Sequence, residues 1–462
     1  MDAFALVSHT SADQVLAWRH GVPITVGQFL VDVERLAAAF PAGRHVLNAC
    51  ADRYRFAVGL AAALTSGRIS LLPPSHTPET VRQMKAFAAD AFCLADGPST
   101  IDLPRLDFDD RSFPLAPVGD AAQAAGRQIP QIPADRAMAF VFTSGSTGVP
   151  VPHLKRWGQM VRDVRAERAA LLAPPQAMLH VLGTVPPQHM YGIESTVLLP
   201  LQSSGTLSSA HPFYPADICA ALDALPRPRM LVTTPVHLRA LLDAGTAVPP
   251  VDLVLCATAP LSTELAASAE EMLSAPLQEI YGSTETGQIA ARRTTLGRHW
   301  TLLPDITLEQ RGERFWASGG HVDPAMPLGD VLECEPDGRF LLQGRIGDMV
   351  NIAGKRNSLA HLNHQLLAIP GVVDGVFLMP EDETSDGVTR LVAFAVAPGL
   401  TPAALRAALR ERVDPIFMPR PLILVEALPR NTTGKITRET IQALASTHLP
   451  QGGGHRRHSD GS

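Results

Sequence analysis

Cysteine is scarce in this sequence of 462 residues, and its placement excludes several kinds of protein. The five cysteines are odd in number and widely separated, and no two of them form a CxxC pair. A disulfide-stapled scaffold and a zinc ribbon are therefore excluded, because both need closely spaced cysteine pairs. We predict reduced core thiols in a cytoplasmic protein, at Cys50, Cys93, Cys219, Cys256 and Cys334.

Long apolar runs and blocks of a single charge are also missing. The longest apolar stretch, residues 56–64, is too short to cross a bilayer. The first ten residues contain no basic segment that leads into an apolar one, so we expect no signal peptide. The net charge of −6 is spread along the chain without a long basic run, so we expect neither nucleic acid nor an anionic membrane surface as a partner.

The chain does contain enough apolar residues to bury more than one core. Hydrophobic residues make up 46% and charged residues 18%, and the length exceeds that of most single domains. Helical and short apolar patterns alternate over residues 27–72, which is typical of an α/β fold with parallel strands. We predict a large layered α/β domain over residues 1–343, a small mobile α+β domain over residues 344–449 and a disordered tail over residues 450–462.

The pattern also predicts individual elements. Residues 111–133, rich in Ala, Gly, Gln and Pro, are predicted to form a surface connection. Thr401 and Pro402 open a helical pattern, which indicates an N-cap followed by a proline in the first turn. The predicted helices cover residues 27–40, 53–66, 158–172 and 401–413, and the predicted strands cover residues 45–48, 69–72, 137–143, 178–182, 230–233, 251–256, 277–280, 372–379 and 390–396.

A turn of glycines and hydroxyl residues follows the predicted strand 137–143. Glycine allows successive N–H groups to point inward, and hydroxyls add donors, so such a loop can hold a polyphosphate. It is not a Walker A loop, because no Gly-Lys-Ser/Thr follows at the required spacing. Taken alone, the motif also fits a plain surface loop. Its residues are Thr143, Ser144, Gly145, Ser146, Thr147 and Gly148.

A second polar turn, residues 281–287, again follows an apolar run. The ring of Tyr281 can stack on a purine, and the hydroxyl of Thr284 can donate to an α-phosphate. The carboxylate of Glu285 can hold Mg²⁺, which prefers oxygen ligands. The alternative interpretation is a surface turn with an exposed acid.

Two later motifs are each ambiguous when taken alone. Asp330 and Arg345 can divide two ribose hydroxyls between an acceptor and a donor, or they can form a structural ion pair. Lys435 ends the glycine-bearing segment PRNTTGK. It is either a solvated surface charge or a point charge that a loop delivers to a phosphate.

Taken in order, the four motifs resemble the signatures of the adenylate-forming superfamily, which includes acyl-CoA synthetases, adenylation domains of peptide synthetases and luciferases. The resemblance covers nearly the whole chain, including residues 48–74 and the turn at residues 257–260. It implies ATP and Mg²⁺ as cofactors. It also implies that a carboxylic acid becomes an acyl-adenylate, which then reacts with the thiol of CoA or of an acyl carrier protein.

The resemblance implies a role for each motif residue. Residues 143–148 cradle the β- and γ-phosphates, Thr284 contacts the α-phosphate and Glu285 holds Mg²⁺. Lys435 bridges the carboxylate and the α-phosphate during adenylation. The resemblance implies contact with adenine or its surroundings for Ala257, Thr258, Tyr281 and Gly282. It implies ribose binding for Asp330 and Arg345. It also implies a hinge between the domains at Gly347.

The acyl pocket of the superfamily corresponds here to residues 186–192 and to the two turns near adenine. A histidine in that segment also fits a hydrogen-bonded core residue, so its role stays open. The substrate contacts that the resemblance implies are His189, Tyr191, Gly192, Thr258 and Gly282.

The sequence departs from the superfamily's pattern at Val151 and Asn351, where relatives commonly carry lysine, and Lys155 is a candidate substitute. Short ligases with this altered loop resemble those of aryl-polyene and xanthomonadin-type pigment pathways. Those enzymes load a hydroxybenzoate-like acid onto an acyl carrier protein. A ligase for aryl- or acyl-CoA and a catalytically degenerate nucleotide-binding protein are the alternatives.

Overall fold

The fold comes from a computed structural model that describes residues 2–117, 127–143, 150–174, 177–345, 348–352, 355–379, 390–430, 436 and 438–448. The chain divides into two compact units. The first comprises Met1–Leu328 and Cys334–Leu341, and the second comprises Gly329–Glu333 and Leu342–Ser462.

The first unit contains a mostly parallel sheet whose inner strands are buried on both faces. Its central strand His45–Asn48 pairs in parallel with Ile69–Leu72 and Phe92–Ala95. Strand Val151–Arg156 forms one edge of this sheet and pairs antiparallel with Ala137–Thr143. The chain therefore reverses direction between Thr143 and Val151. The strand order is Val151–Arg156, Ala137–Thr143, Ile69–Leu72, His45–Asn48, Phe92–Ala95 and Arg105–Asp107.

A second, larger sheet carries most of the motif residues. Its inner strands, such as His180–Gly183 and Leu253–Cys256, are wholly buried, as expected for parallel strands covered on both faces. Leu182, Leu231 and Leu277 pack in one core cluster with the covering helices. The strand order is Thr301–Leu302, Gly287–Arg292, Leu277–Ser283, Leu253–Cys256, Arg229–Thr233, His180–Gly183, Thr206–Ser208, Val15–Arg19 and Val22–Thr25.

Local capping explains where several helices of this unit begin. Thr25 and Gln28 form a capping box, and the side chains of Asp52 and Thr77 accept N-cap hydrogen bonds. The helices described in this unit are Val26–Ala39, Arg53–Thr65, Pro78–Phe87, Trp157–Ala170, Met190–Gly192, Leu199–Gln202, Pro215–Asp223, Pro235–Asp243 and Thr263–Leu273, with π-helical Ile193–Leu198 and 3-10 helical Thr294–Leu296. The smaller sheets are Ala3–Ala5 with Gln131–Pro133, and Thr307–Arg311 with Arg314–Gly319 and Val322–Pro327.

The second unit is an α+β arrangement with its own core. Phe377, Leu405 and Leu409 belong to one apolar cluster, which lies between a small sheet and two helices. Strands Asp330–Cys334 and Phe340–Arg345 each have residues in both units. The other strands and helices of the second unit are Met349–Ile352, Lys355–Ser358, Leu359–Leu367, Asp374–Leu378, Val392–Val396, Pro402–Arg410, 3-10 helical Pro415–Phe417, Leu422–Leu424 and Arg438–His448.

The predicted fold class is confirmed, and most differences concern element ends. Thr401 caps a helix as predicted, but the helix ends at Arg410 rather than at residue 413. Asp414 has φ −54° and ψ 135° before Pro415, outside the helical region that proline disfavours in the residue preceding it. Residues 131–133, predicted to lie in a connection, form a strand paired with Ala3–Ala5.

Two of the cysteines depart from the predicted core placement. Cys50, Cys93 and Cys256 are buried, whereas Cys219 is half-buried and Cys334 is exposed. Cys334 ends the strand Asp330–Cys334, whose last two residues face solvent. Among the described residues, no helix has the length and apolar character needed to cross a membrane.

Candidate functional site

The ends of the parallel strands bring several motif residues to one edge of the larger sheet. Strands His180–Gly183 and Leu253–Cys256 run in the same direction, so the segments that follow them leave at the same edge. The hydroxyl of Tyr191 lies 3.3 Å from the carbonyl oxygen of Thr233 and 3.0 Å from that of Leu255. The segment with His189 and Tyr191 is therefore hydrogen-bonded to this edge of the sheet, beside the turn that begins at Ala257.

The candidate acyl segment is tightly packed around Gly192. A Cβ atom at this position would lie 1.9 Å from the carbonyl oxygen of Pro186, so no side chain fits. His189 caps the helical segment that begins at Met190, and its carbonyl oxygen accepts from the amide of Ile193 at 2.8 Å. The hydroxyl of Tyr191 is committed to backbone carbonyls, so its ring is the part that it can offer to a ligand.

Tyr281 lies in strand Leu277–Ser283, one residue before a bulge. Its ring packs at 5.6 Å from Trp300 and at 6.0 Å from Phe340, measured between ring centroids. At Gly282 a Cβ atom would lie 2.1 Å from the carbonyl oxygen of Gly287, so the bulge requires glycine. Thr258, in the neighbouring turn, has a φ of +82°, a conformation that is uncommon for residues other than glycine.

Hydrogen bonds between Ser283 and Thr286 close the turn that carries Thr284 and Glu285. The amide of Ser283 donates to the hydroxyl of Thr286 at 3.1 Å, and the amide of Thr286 donates to the hydroxyl of Ser283 at 3.2 Å. The Glu285 side chain retains 36% of its exposure. The turn is thus fixed at its base and presents a carboxylate at its tip.

His153, which the sequence interpretation did not include, connects two of the predicted motifs. Its Nε2 atom lies 2.9 Å from the hydroxyl of Thr143 and 3.5 Å from Oε1 of Glu285. The neighbouring Lys155 donates from Nζ to the carbonyl oxygen of Glu285 at 3.3 Å. The first residue of the phosphate loop and the predicted metal ligand therefore lie side by side, linked through strand Val151–Arg156.

Comparison with known proteins identifies this arrangement. The model of the family described as AMP-binding enzyme matches residues 4–339. The chain belongs to the AMP-binding enzyme family. It is an AMP-forming acid–thiol ligase that uses ATP and acts on a carboxylic acid.

Relatives of this AMP-binding enzyme include ligases named for aromatic acids. The 4-coumarate–CoA ligase of Rhodobacter capsulatus is 32% identical over 309 residues, which are 65% of this chain and 75% of that protein. The 4-chlorobenzoate–CoA ligase of an Arthrobacter species is 25% identical over 361 residues, 68% of this chain and 67% of that protein. The structure of O-succinylbenzoate coenzyme A synthetase from Bacillus subtilis, in complex with ATP and magnesium ion, shares the fold, with a TM-score of 0.76 and 17% identity over 93% of this chain and 97% of that one.

A cluster of buried carboxyl groups in this AMP-binding enzyme lies next to the Glu285 turn. Asp163 accepts from the amide of Gln288 at 3.3 Å, and its Oδ1 lies 3.4 Å from Nε2 of His321. Burial and the adjacent Asp163 both raise the pKa of Glu194, so Glu194 is the protonated partner of the pair. Asp163, His321, Lys155 and Glu285 are among the residues that line a cavity of about 260 Å³.

Glu167 extends this cluster towards the core. It is fully buried, and its Oε1 accepts from the hydroxyl of Ser195 at 2.6 Å. The hydroxyl of Ser195 in turn accepts from Nε2 of Gln288 at 3.0 Å. Burial raises the pKa of Glu167 to about 8, so the carboxyl is neutral at pH 7.

A Glu167→Gln variant is expected to lose less stability than the wild type as the pH rises. In the unfolded chain this carboxyl ionises near pH 4.3, whereas its folded pKa is about 8. The neutral carboxyl therefore contributes stability that is complete below about pH 4.3 and is lost as the pH rises through about 8.

Thermal unfolding at pH 5.5 and at pH 8.5 measures this difference. The fall in the transition midpoint between the two pH values should be smaller for Glu167→Gln than for the wild type. Glu271→Gln, at an exposed position of the same unit, is the matched control and should behave like the wild type. An identical fall in Glu167→Gln and the wild type would contradict the buried neutral carboxyl.

Several predicted site residues lie outside the described part of the chain. They are Ser144, Gly145, Ser146, Thr147, Gly148, Gly347 and Lys435, together with the side chain of Arg345. Asp330 belongs to the second unit, where it opens the strand Asp330–Cys334. The roles of all these residues stay predictions.

Proposed function

We propose that this enzyme activates a small aromatic acid of the hydroxybenzoate type with magnesium–ATP and transfers the acyl group to the phosphopantetheine thiol of an acyl carrier protein. The observation that carries the adenylation step is the convergence of Thr143, His153 and Glu285. The names of the 4-coumarate and 4-chlorobenzoate ligases support an aromatic acid. The carrier protein as acceptor rests on the altered phosphate loop at Val151.

The residues of the Glu285 turn fit a magnesium ion bound together with a polyphosphate. Mg²⁺ is usually held by one or two carboxylates plus substrate phosphates rather than by a protein cage. The turn offers one accessible carboxylate, and among the described residues no group of three or more metal-ligating side chains is found. When bound there, Mg²⁺ would supply positive charge against the phosphates.

In the proposed first step, an oxygen of the substrate carboxylate attacks the α-phosphorus of ATP while the bond to pyrophosphate breaks. We assign Thr284 to the α-phosphate and residues 143–148 to the β- and γ-phosphates. Tyr281, Gly282, Ala257 and Thr258 are assigned to the adenine side. Asp330 and Arg345 are assigned to the ribose hydroxyls, and Lys435 to the charge that accumulates between the two reacting anions.

In the proposed second step, the thiol sulfur attacks the acyl carbon, the bond to AMP breaks and the thiol proton is released to solvent. His189, the ring of Tyr191, Gly192, Thr258 and Gly282 are assigned to the acyl group. The close backbone packing at Gly192 and Gly282 suits a pocket that must orient the acid.

Acid-dependent exchange of pyrophosphate into ATP tests the first step over a panel of aromatic and aliphatic acids. We expect exchange with hydroxybenzoates to exceed exchange with aliphatic acids. Aliphatic acids as the best substrates would contradict the proposed acid class. If none of the acids supports exchange, the alternative of a degenerate nucleotide-binding protein is favoured. The absence of lysine at Val151 and Asn351 suggests that alternative.

Supplying either CoA or carrier proteins that bear phosphopantetheine then tests the second step. We expect acyl transfer to a carrier protein and slow release of acyl-CoA. The competing function is an aryl-CoA ligase, which the relatives named as CoA ligases favour. Efficient acyl-CoA formation without transfer to any carrier protein would decide for that alternative.

A further inference from the structure

Strand Val151–Arg156 presents alternate side chains to the Glu285 turn. Residues 151, 153 and 155 share one face, because successive side chains of a strand point to opposite sides. Along this face exposure falls from 45% at Val151 to 7% at Lys155. The face therefore has an apolar residue at its outer end and two basic residues at its inner end.

The ammonium group of Lys155 is enclosed by groups that carry negative or partial negative charge. Its Nζ donates to the carbonyl oxygen of Glu285 at 3.3 Å. Burial lowers the pKa of Lys155, and the neighbouring carboxyl groups of Glu194, Asp163 and Glu285 oppose this shift. A buried ammonium with such neighbours is held in one position, and it holds the backbone of Glu285 in turn.

A second contact restrains the side chain of the same glutamate. Oε1 of Glu285 lies 3.5 Å from Nε2 of His153, whose ring also contacts the hydroxyl of Thr143. The carbonyl group of Glu285 is thus hydrogen-bonded to Lys155, and its carboxylate lies beside the ring of His153. Groups that orient a metal ligand in this way commonly change metal affinity by about 10–100-fold when they are removed.

We propose that Lys155 is a positioning residue for Glu285, and that it sets the affinity of the site for magnesium–ATP in place of the basic residue that is missing at Val151. This inference rests on the proposed function, because it needs Glu285 to bind the metal of the nucleotide complex. Lys155 does so through the carbonyl group of Glu285, and His153 completes the arrangement at the carboxylate.

The experiment measures ATP binding by calorimetry while the Mg²⁺ concentration is varied, so its readout does not depend on turnover. In Lys155→Met, the Mg²⁺ concentration that gives half of the maximal ATP affinity should rise about tenfold or more. Lys155→Arg retains the charge and the donor and should stay within about threefold of the wild type. Pyrophosphate exchange should show a KM for the acid within about twofold of the wild-type value in both variants.

A double-mutant cycle with Glu285→Gln separates positioning from a general structural role. If Lys155 acts through Glu285, adding Lys155→Met to Glu285→Gln should not change the Mg²⁺ dependence further. Additive effects in this cycle, or an unchanged Mg²⁺ dependence in folded Lys155→Met, would overturn the proposal. Lys85→Met is the matched control, since Lys85 is exposed and pairs with Asp102.

A further variant keeps the inference testable if Lys155→Met does not fold. His153→Gln alters the contact with the carboxylate of Glu285 and leaves the buried ammonium in place. It should shift the Mg²⁺ dependence in the same direction, and no shift would overturn the arrangement. Magnesium-dependent ATP binding without exchange for any acid would overturn the proposed function alone, because the Lys155 test uses binding only.

Discussion

An Arg53→Met variant is expected to destabilise the first unit by roughly 3 kcal/mol or more, since each buried acceptor left unsatisfied costs about 1–3 kcal/mol. The Arg53 side chain is fully buried. Its Nη2 donates to the carbonyl oxygens of Gly183 and Val185, both at 2.9 Å. Its Nη1 donates to the carbonyl oxygens of Ser208, at 3.2 Å, and Ala210. Methionine fills a similar volume but donates to none of these acceptors.

The charge state of Arg53 supports this expectation. Burial lowers the pKa of its guanidinium to about 10, which leaves it protonated at neutral pH. Among the described residues, it forms no salt bridge, and its donors go to backbone carbonyls and to the hydroxyl of Thr196 at 3.0 Å. The planar fork of donors is therefore what binds the ends of two strands together.

Thermal unfolding checks the expected loss, with Arg82→Met as the control. Arg82 is exposed and pairs with Glu79, so its replacement should change stability by less than about 0.5 kcal/mol. The midpoint of the first transition in Arg53→Met should fall by about 5 °C or more. Arg53→Lys replaces the planar fork of donors by a single ammonium group. Its midpoint should lie between those of the wild type and Arg53→Met. A midpoint within about 1 °C of the wild type would contradict the role of Arg53.

Arg53 also donates hydrogen bonds to residues that precede the candidate acyl segment. Gly183 and Val185 lead directly into residues 186–192, and the hydroxyl of Thr196 accepts from Nε of Arg53 at 3.0 Å. A folded Arg53→Lys variant should therefore show a raised KM for the acid, while its KM for ATP changes less. This follows because Thr143 and Glu285 are held from a different strand.

The sequence predicted the positions of several strands well. Strands at residues 45–48, 69–72 and 137–143 lie where alternating and continuous apolar patterns placed them, because their burial is a local property of the sequence. Thr143 and Glu285 follow strands of two different sheets, so their closeness did not follow from local patterns. Local sequence patterns also did not identify His153, the side chain that contacts both of them.

His153 and the buried carboxyl groups were missed for a physical reason. Polar residues are normally exposed, so Asp163 and Glu167 on a helix look like its solvent face until the fold buries them. Their four-residue spacing places them on one side of helix Trp157–Ala170, which was the available signal. Only the tertiary structure shows that Glu194 faces the same cluster from another segment.

Lys435 remains the residue with the largest expected effect on catalysis. Residues 431–435 lie outside the described part of the chain, but the residues on both sides are anchored in the second unit. The guanidinium of Arg430 pairs with the carboxylate of Asp374 at 2.6 Å, and Ile436 packs against an apolar cluster that includes Phe394. The segment that carries Lys435 thus begins and ends on a folded support.

A Lys435→Ala variant is expected to slow adenylation about 10²-fold or more and to leave thiol transfer from preformed acyl-adenylate within about threefold of the wild type. The reason is that the proposed charge of Lys435 is needed where two anions meet, and this occurs in the first step alone. Pyrophosphate exchange reports the first step, and transfer from supplied acyl-adenylate to a carrier protein or CoA reports the second.

The two lysines should differ in this pair of assays. Lys155 is fixed in a sheet of the first unit, and its expected effect is on the Mg²⁺ requirement of ATP binding. Lys435 should change the rate of adenylation at saturating Mg²⁺ and ATP, since its proposed contact is with the reacting carboxylate. Lys85→Ala serves as the control for loss of a surface lysine. Equal losses in both steps for Lys435→Ala would remove it from the reacting centre and assign it to the stability of the second unit.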